Sequence, residues 1–422
     1  MSSQRLAVVR LLSSAVVSQA LLSAASFAVG LLLIRHADAV QYGYFVLASG
    51  AIALLVSLQN AFFGPVLALR LTRLERPESG ALVGGLYAAQ NLAVRYLAAA
   101  ALATVIGLWY AALLDRQTAL LSIAGIVATL AILQREYFRL VLLAHRRPFD
   151  VLRGDVCHVV LMLAGVFVAT HTATPAAISL MALGIAAVAS AVLLGRSLHR
   201  HEPWHSASTA ALLRGIAPVA AWSTAGAAIH WTFSQGYIYL VAGTLDVAAV
   251  AAIAATRLLL MPVNLLSTGI GSLMLPLASG WLQHHGPALL LRRLGLIAVG
   301  LGIATLCYFA VIWLARDWIF AVLLKKQFAA RDDLLLLWGL LFLVMVVRDQ
   351  LRHLVSAQGR FRALSVVTLA SACIALAASF EFMRLLGVTG ALLGMLAGEL
   401  INLAGIVVLA IRQPRSRSVA PA

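Results

Sequence analysis

Two stretches of the chain carry arginines at a spacing suited to holding an anion. Residues 134–147 read QREYFRLVLLAHRR and residues 347–360 read VRDQLRHLVSAQGR. Arg135 and Arg139 are four positions apart, as are Arg348 and Arg352, so on a helix each pair shares one face. The stretches align at an offset of 213 residues (348 − 135 = 213), which also pairs Glu136 with Asp349 and Arg147 with Arg360. A planar guanidinium fork matches the oxygens of phosphate or pyrophosphate, and such contacts strengthen away from water. The same arginines could instead snorkel to lipid phosphates, with Glu136 and Asp349 as local partners.

A further arginine, Arg257, stands alone in an apolar run. It follows Asp246 by 11 residues (257 − 246 = 11), about 16 Å along a helix at ~1.5 Å per residue, which is near mid-bilayer depth. Pro262 removes the donor that would bond the carbonyl of Leu258, so the helix is expected to loosen beside the charge. The competing reading is a structural ion pair with an intramembrane acid such as Glu399. Gln59, Asn60, His230, Gln235, Asn264 and Asn402 are hydrogen-bonding residues inside apolar runs, where each can act as helix–helix glue or as a ligand. Arg95 interrupts a third run beside Gln90 and Asn91. The candidate binding set is therefore Arg257, Arg135, Arg139, Arg348, Arg352, Arg95, Gln59, Asn60, His230 and Gln235. Trp222, Trp231, Tyr237 and Tyr239 could line a sugar-sized cavity with them or anchor a helix at the membrane interface.

Other chemistries find no residues to support them. There is no GxxxxGK[ST] phosphate loop, no CxxC and no HExxH, so neither a nucleotide cofactor nor a metal is expected. His199, His201 and His205 cluster without cysteine or acid neighbours and read as a solvated basic turn. Cys157, Cys307 and Cys373 sit in apolar context as small hydrophobes. The longest connection on the outer side offers only Asp317, Asp332 and Asp333, too little for an enzyme. A nucleic-acid partner is not expected either.

The elements that must position these residues follow from composition. Of 422 residues, 62% are hydrophobic and 11% charged, with mean hydropathy +0.97. Soluble domains carry about 25% charge, so the chain reads as an all-α polytopic membrane protein. About twelve runs are long enough to span, at about 20 residues each: roughly 11–34, 43–68, 96–114, 118–145, 154–170, 176–195, 213–242, 247–278, 294–314, 334–357, 363–383 and 388–411. The repeat at half the chain length predicts two pseudo-symmetric six-helix lobes, residues 1–205 and 206–422, joined by the polar stretch 196–208 and ending in a short basic tail. The net charge of +16 comes almost wholly from arginine. Its distribution puts Arg70, Arg73, Arg76, Arg146, Arg147, Arg196, Arg200, Arg292, Arg293, Arg360 and Arg362 on one side, which predicts cytoplasmic N- and C-termini. Residues 316–331 are the basic exception on the other side.

In RHADAVQYGYFVLAS (residues 35–49), Arg-Glu-x-x-Arg with Ala-His-Arg-Arg-Pro, and AATRLLLMPVNLLSTGIGSLMLPLAS (residues 254–279), the chain resembles bacterial polysaccharide-biosynthesis membrane proteins. These are the oligosaccharide-lipid flippases of the multidrug/oligosaccharidyl-lipid/polysaccharide exporter superfamily. The resemblance implies two six-helix lobes around a central cavity, alternating access, and an undecaprenyl-diphosphate-linked oligosaccharide as cargo in the bacterial inner membrane. It further implies membrane lipids as partners, with a polysaccharide polymerase and glycosyltransferases alongside. A multidrug or cation exporter of the same architecture and a non-transporting scaffold of a synthesis complex are the alternatives. The excess of arginines over acids within the spans favours an anionic cargo.

Overall fold

The computed structural model describes residues 3–71, 74, 76–200, 209–328 and 330–411, without the side chains of 3–16, 68, 69, 76, 77, 209–213, 219, 272, 273, 275 and 276. Arg73, His201, His205 and the basic tail lie outside the described residues. Among those described, every regular element is helical. A backbone in hydrocarbon must satisfy its own hydrogen bonds, and the helix does this within one segment.

Six helices come before the polar linker: α1 (Ser3–His36), α2 (Ala39–Arg70), α3 (Arg76–Tyr110), α4 (Arg116–Ala144), α5 (Pro148–Ala169) and α6 (Pro175–His199). After it come α7 (Thr209–Thr244), α8 (Val247–Leu258), α9 (Met261–Leu314), the single turn α10 (Arg316–Trp318) running into a π-helical turn (Ile319–Leu324), α11 (Arg331–Ala357), α12 (Phe361–Leu386) and α13 (Val388–Ile411). Among the described residues ten helical segments are long and apolar enough to cross a membrane, the later part of α9 (Leu277–Leu314) among them, and α8 with the first part of α9 (Met261–Gly271) makes an eleventh if that bent pair is one span. The helix that separates this count from twelve is α7.

Short aspartate turns start several helices. Asp38 accepts from the Gln41 amide at 2.7 Å to cap α2, and Asp246 accepts from the Ala249 amide at 2.6 Å to cap α8. Such caps satisfy donors that the first helical turn leaves free.

Packing divides the chain into two compact units, Met1–Trp231 and Thr232–Ala422, with the division falling inside α7. The physical reason is that the start of α7 joins the N-terminal core. Ile216 is buried in a cluster with Leu67, Leu86, Tyr137, Leu142 and Leu194. The Trp231 indole donates to the Gly50 carbonyl at 3.2 Å.

Within the N-terminal unit α4 is the hub, packed on α2, α3 and α6, while α5 lies against α6 and α1. In the C-terminal unit α11 packs on α9 and α13, and α13 on α12. Small residues set the α12–α13 approach: a Cβ at Gly394 would stand 2.1 Å from the Ser379 backbone nitrogen, so only glycine fits there.

The sequence reads 247–278 as one loosened helix, and here the structure differs. α8 ends at Leu258 and α9 begins at Met261, with a bend of 59° between them. Leu260 and Val263 make tight turns back to the Arg257 and Leu260 carbonyls, at 3.0 and 3.1 Å. Pro262 cannot continue the ladder from α8, so the chain re-nucleates a helix with the proline in its first turn. A second break falls at Gly286, whose φ of 77° interrupts α9.

Buried ion pairs and a candidate anion site

The first arginine of each repeat, Arg135 and Arg348, is buried, and it is neutralised differently in each unit. In the N-terminal unit, Arg135 of α4 is 3% exposed. Its guanidinium bonds Glu136 and the fully buried Asp155 of α5, and Nε donates to the Ser190 hydroxyl of α6 at 3.2 Å. Arg139 lies 3.4 Å from Asp155 and 3.6 Å from Glu136. The Ser18 hydroxyl of α1 donates to the other oxygen of Asp155. Two arginines and two carboxylates thus form a closed cluster joining four helices. Burying charges this deeply is tolerable only when each is paired and hydrogen-bonded.

In the C-terminal unit, Arg348 of α11 is 5% exposed and bonds both oxygens of Glu399 on α13, one at 2.6 Å. It also bonds Asp349 at 2.8 Å. Arg352, one turn on, is exposed and has no carboxylate within ion-pair distance among the described residues. The local partners expected from sequence, Glu136 and Asp349, are present, but the buried acids Asp155 and Glu399 complete the charge balance. Asp155 lies outside the arginine stretches that the sequence singles out. Its signal was available, because a lone acid in an apolar helix calls for a cation by the same argument used for the arginines.

Glu399 therefore belongs to Arg348 and not to Arg257. Arg257 closes the last turn of α8, immediately before the break, and is half-buried. It has no ion pair among the described residues; its partners are neutral. Nη1 donates to the Gln235 amide oxygen of α7 at 3.1 Å. The guanidinium carbon sits 5.3 Å from the centroid of the Trp338 ring on α11, a cation–π contact that leaves donors free. Trp338 is fixed by its own indole, which donates to the Ile253 carbonyl at 3.2 Å, and by an edge-on Tyr237 at 6.1 Å. The Leu259 carbonyl at the break accepts from the Tyr308 hydroxyl at 2.8 Å. Gln235 was a sequence candidate; Trp338 and Tyr308 were not, since an aromatic in an apolar run carries no signal of its own.

The fold is shared with transporters of the MOP superfamily. A structure of an inward-facing multidrug resistance MATE family transporter of that superfamily has a TM-score of 0.76 at 12% identity, covering 92% of this chain and 93% of that one. The lipid II flippase MurJ, in an inward closed conformation, has a TM-score of 0.72 at 10% identity, covering 93% and 86%. A MOP superfamily transporter from Pyrococcus furiosus, whose binding pocket has reversed polarity, has a TM-score of 0.68 at 12% identity, covering 96% and 95%. At these identities the likeness establishes the fold. No family model and no curated protein matches the sequence.

The remaining candidates scatter over this fold. Gln59 of α2 and Gln90 of α3 both donate to the Leu133 carbonyl of α4, at 3.0 and 2.9 Å, so Gln59 ties helices together. The Asn60 amide oxygen is buried without a hydrogen-bond partner, as is that of Asn402 on α13. Arg95 is exposed on α3, and His230 is exposed on α7.

Proposed function

We propose that this protein is an alternating-access flippase that moves undecaprenyl-diphosphate-linked oligosaccharide repeat units across the bacterial inner membrane for polysaccharide export. Arg257 binds the diphosphate during passage, with Gln235 orienting the guanidinium. The observation that carries this reading is an arginine beside a helix break that has neutral partners and, among the described residues, no carboxylate within ion-pair distance. Arg135, Arg139 and Arg348 all have carboxylates. A buried arginine left uncompensated is costly unless water or an anion satisfies it. A diphosphate supplies that anion, and the stacked Trp338 face leaves a second guanidinium edge for bidentate contact. Arg352, in the same unit and also without an ion pair among the described residues, adds positive potential for the same cargo. The termini are placed in the cytoplasm, and polymerase and glycosyltransferases act before and after the flip.

The test is polymer surface display in cells whose only copy of the protein is a variant. Arg257→Ala and Arg257→Glu are expected to abolish display at unchanged membrane abundance, and Arg257→Lys to retain part of it. Full export by the alanine variant at normal abundance would return Arg257 to a structural role. If loss of the protein changes drug susceptibility and leaves polymer untouched, the exporter alternative replaces this one.

A further inference from the structure

The connection between α9 and α11 has a charge that the rest of its network leaves over. Arg316 lies 3.4 Å from Asp332, donates to the Trp313 carbonyl at 2.9 Å and stands 4.7 Å over the Trp313 ring. Arg331 bonds Asp317, reaches Asp332 at 3.1 Å and Gln327 at 3.0 Å, and covers the Phe320 ring at 5.4 Å. Both arginines are thus held by aspartates. Lys325 and Lys326, the only lysines in the chain, have no carboxylate within ion-pair distance among the described residues.

The backbone fixes where these lysines stand. Lys325 ends the π-helical turn with φ 52° and ψ 35°, a left-handed conformation uncommon for a residue with a side chain. The same conformation occurs at Ala112, Arg146 and Ala330, so here it fixes where the turn ends and the lysines begin. The surroundings hold it: Ile319, Phe320 and Leu324 are buried, and the Lys326 amide donates to the Phe320 carbonyl at 3.1 Å. The opposite face of the same turn shows Trp318 at 58% and Val322 at 49% exposure, next to Leu314 at 81%. An aromatic and two aliphatic side chains beside a pair of free ammonium groups is the composition of a headgroup-level lipid site.

We propose that Lys325 and Lys326 bind the phosphate of an anionic phospholipid, with its acyl chains against Trp318, Val322 and Leu314, in the leaflet opposite the N-terminus. The leaflet rests on the topology adopted under Proposed function; the binding does not. The adjacent apolar face favours a lipid over a free phosphate, which would leave Trp318 and Val322 without contact.

Native mass spectrometry of the purified full chain in detergent tests this by titration with phosphatidylglycerol, then phosphatidylcholine, then inorganic pyrophosphate as competitor. The expected result is that Lys325→Gln with Lys326→Gln loses one phosphatidylglycerol from the bound set, or binds it about tenfold more weakly. Lys325→Arg with Lys326→Arg should keep it, and phosphatidylcholine should be indifferent to both. Equal phosphatidylglycerol occupancy in the double glutamine variant, with its thermal unfolding unchanged, overturns the proposal. Equal affinity for phosphatidylcholine in the unsubstituted protein overturns it too, as a purely apolar annulus. Displacement of phosphatidylglycerol by millimolar pyrophosphate would make the occupant a free phosphate anion instead. None of these outcomes bears on polymer export through Arg257.

Discussion

In the N-terminal unit the buried arginine of α4 meets its deep carboxylate on α5, whereas in the C-terminal unit the corresponding arginine of α11 meets its carboxylate on α13. The repeat offset carries Asp155 to Thr368 (155 + 213 = 368) and Glu399 to Ala186 (399 − 213 = 186), so neither acid has a counterpart. The two halves keep the cation and its register but recruit the anion from different helices. The consequences differ as well. Asp155 holds Arg135, Arg139 and Ser18 together across α1, α4 and α5. Glu399 holds Arg348, and Arg352 has no carboxylate within ion-pair distance among the described residues. What must be fixed is neutrality at the arginine, and any neighbouring helix that can project a carboxylate will serve.

The sharpest way to break this comparison is to remove each deep acid. Asp155→Ala leaves Arg135 with Glu136 only and Arg139 with its weaker contact, and is expected to cost about 3–5 kcal/mol, as for other buried pairs that lose one partner. Glu399→Ala leaves Arg348 its bond to Asp349, and should cost less, about 2 kcal/mol, on the scale of a hydrogen bond to a charged group. Thermal unfolding in detergent with membrane abundance reads both. A larger loss from Glu399→Ala than from Asp155→Ala would show that the C-terminal cluster, not the N-terminal one, is the more tightly closed.

A smaller effect separates the second arginines. Arg139→Gln removes two partly buried contacts and is expected to destabilise by about 1 kcal/mol, whereas Arg352→Gln should fall within about 0.5 kcal/mol of the parent, as exposed substitutions do. The same variants in the polymer-display assay sharpen the point. Export should depend on Arg352 more than on Arg139, because only the former has charge to offer a passing anion. Equal export from both variants would assign them one role.

The smallest expected effect lies at the helix starts. α4 begins with an aspartate cap, Asp115, while α11 begins at the left-handed Ala330 with no side-chain cap and with Asp332 and Asp333 in its first turn. The side-chain hydrogen bond from the Thr118 hydroxyl, aided by the Thr118 and Gln117 amides, holds the Asp115 carboxyl below its usual value. A carboxyl depressed in the folded state contributes stability above its unfolded pKa, which is about 3.9 for aspartate, and that contribution fades as pH falls through the folded value. Thr118→Val should therefore raise the Asp115 titration midpoint, read by NMR of the carboxyl in a detergent-solubilised sample. An unmoved midpoint would mean that the backbone amides alone set it.

The sequence by itself determined a great deal of this molecule. Apolar runs marked most of the helices, and Asp38, Asp115 and Asp246 stand at three of their starts, because length, hydropathy and capping are local properties. The arginine repeat marked α4 and α11 as the places where charge enters the spans. Arg257 beside Pro262 located the helix break to within a few residues, since a missing amide donor acts on its own turn. Tertiary structure alone decided which distant carboxylates the arginines meet. Asp155 lies 20 residues from Arg135 (155 − 135 = 20) and Glu399 lies 51 from Arg348 (399 − 348 = 51), and nothing in either spacing names the partner. Ion pairing acts over a few ångströms of space and is indifferent to distance along the chain. The close approach of α13 to α12 at Gly394, and of α5 to α4 and α6, sets those few ångströms.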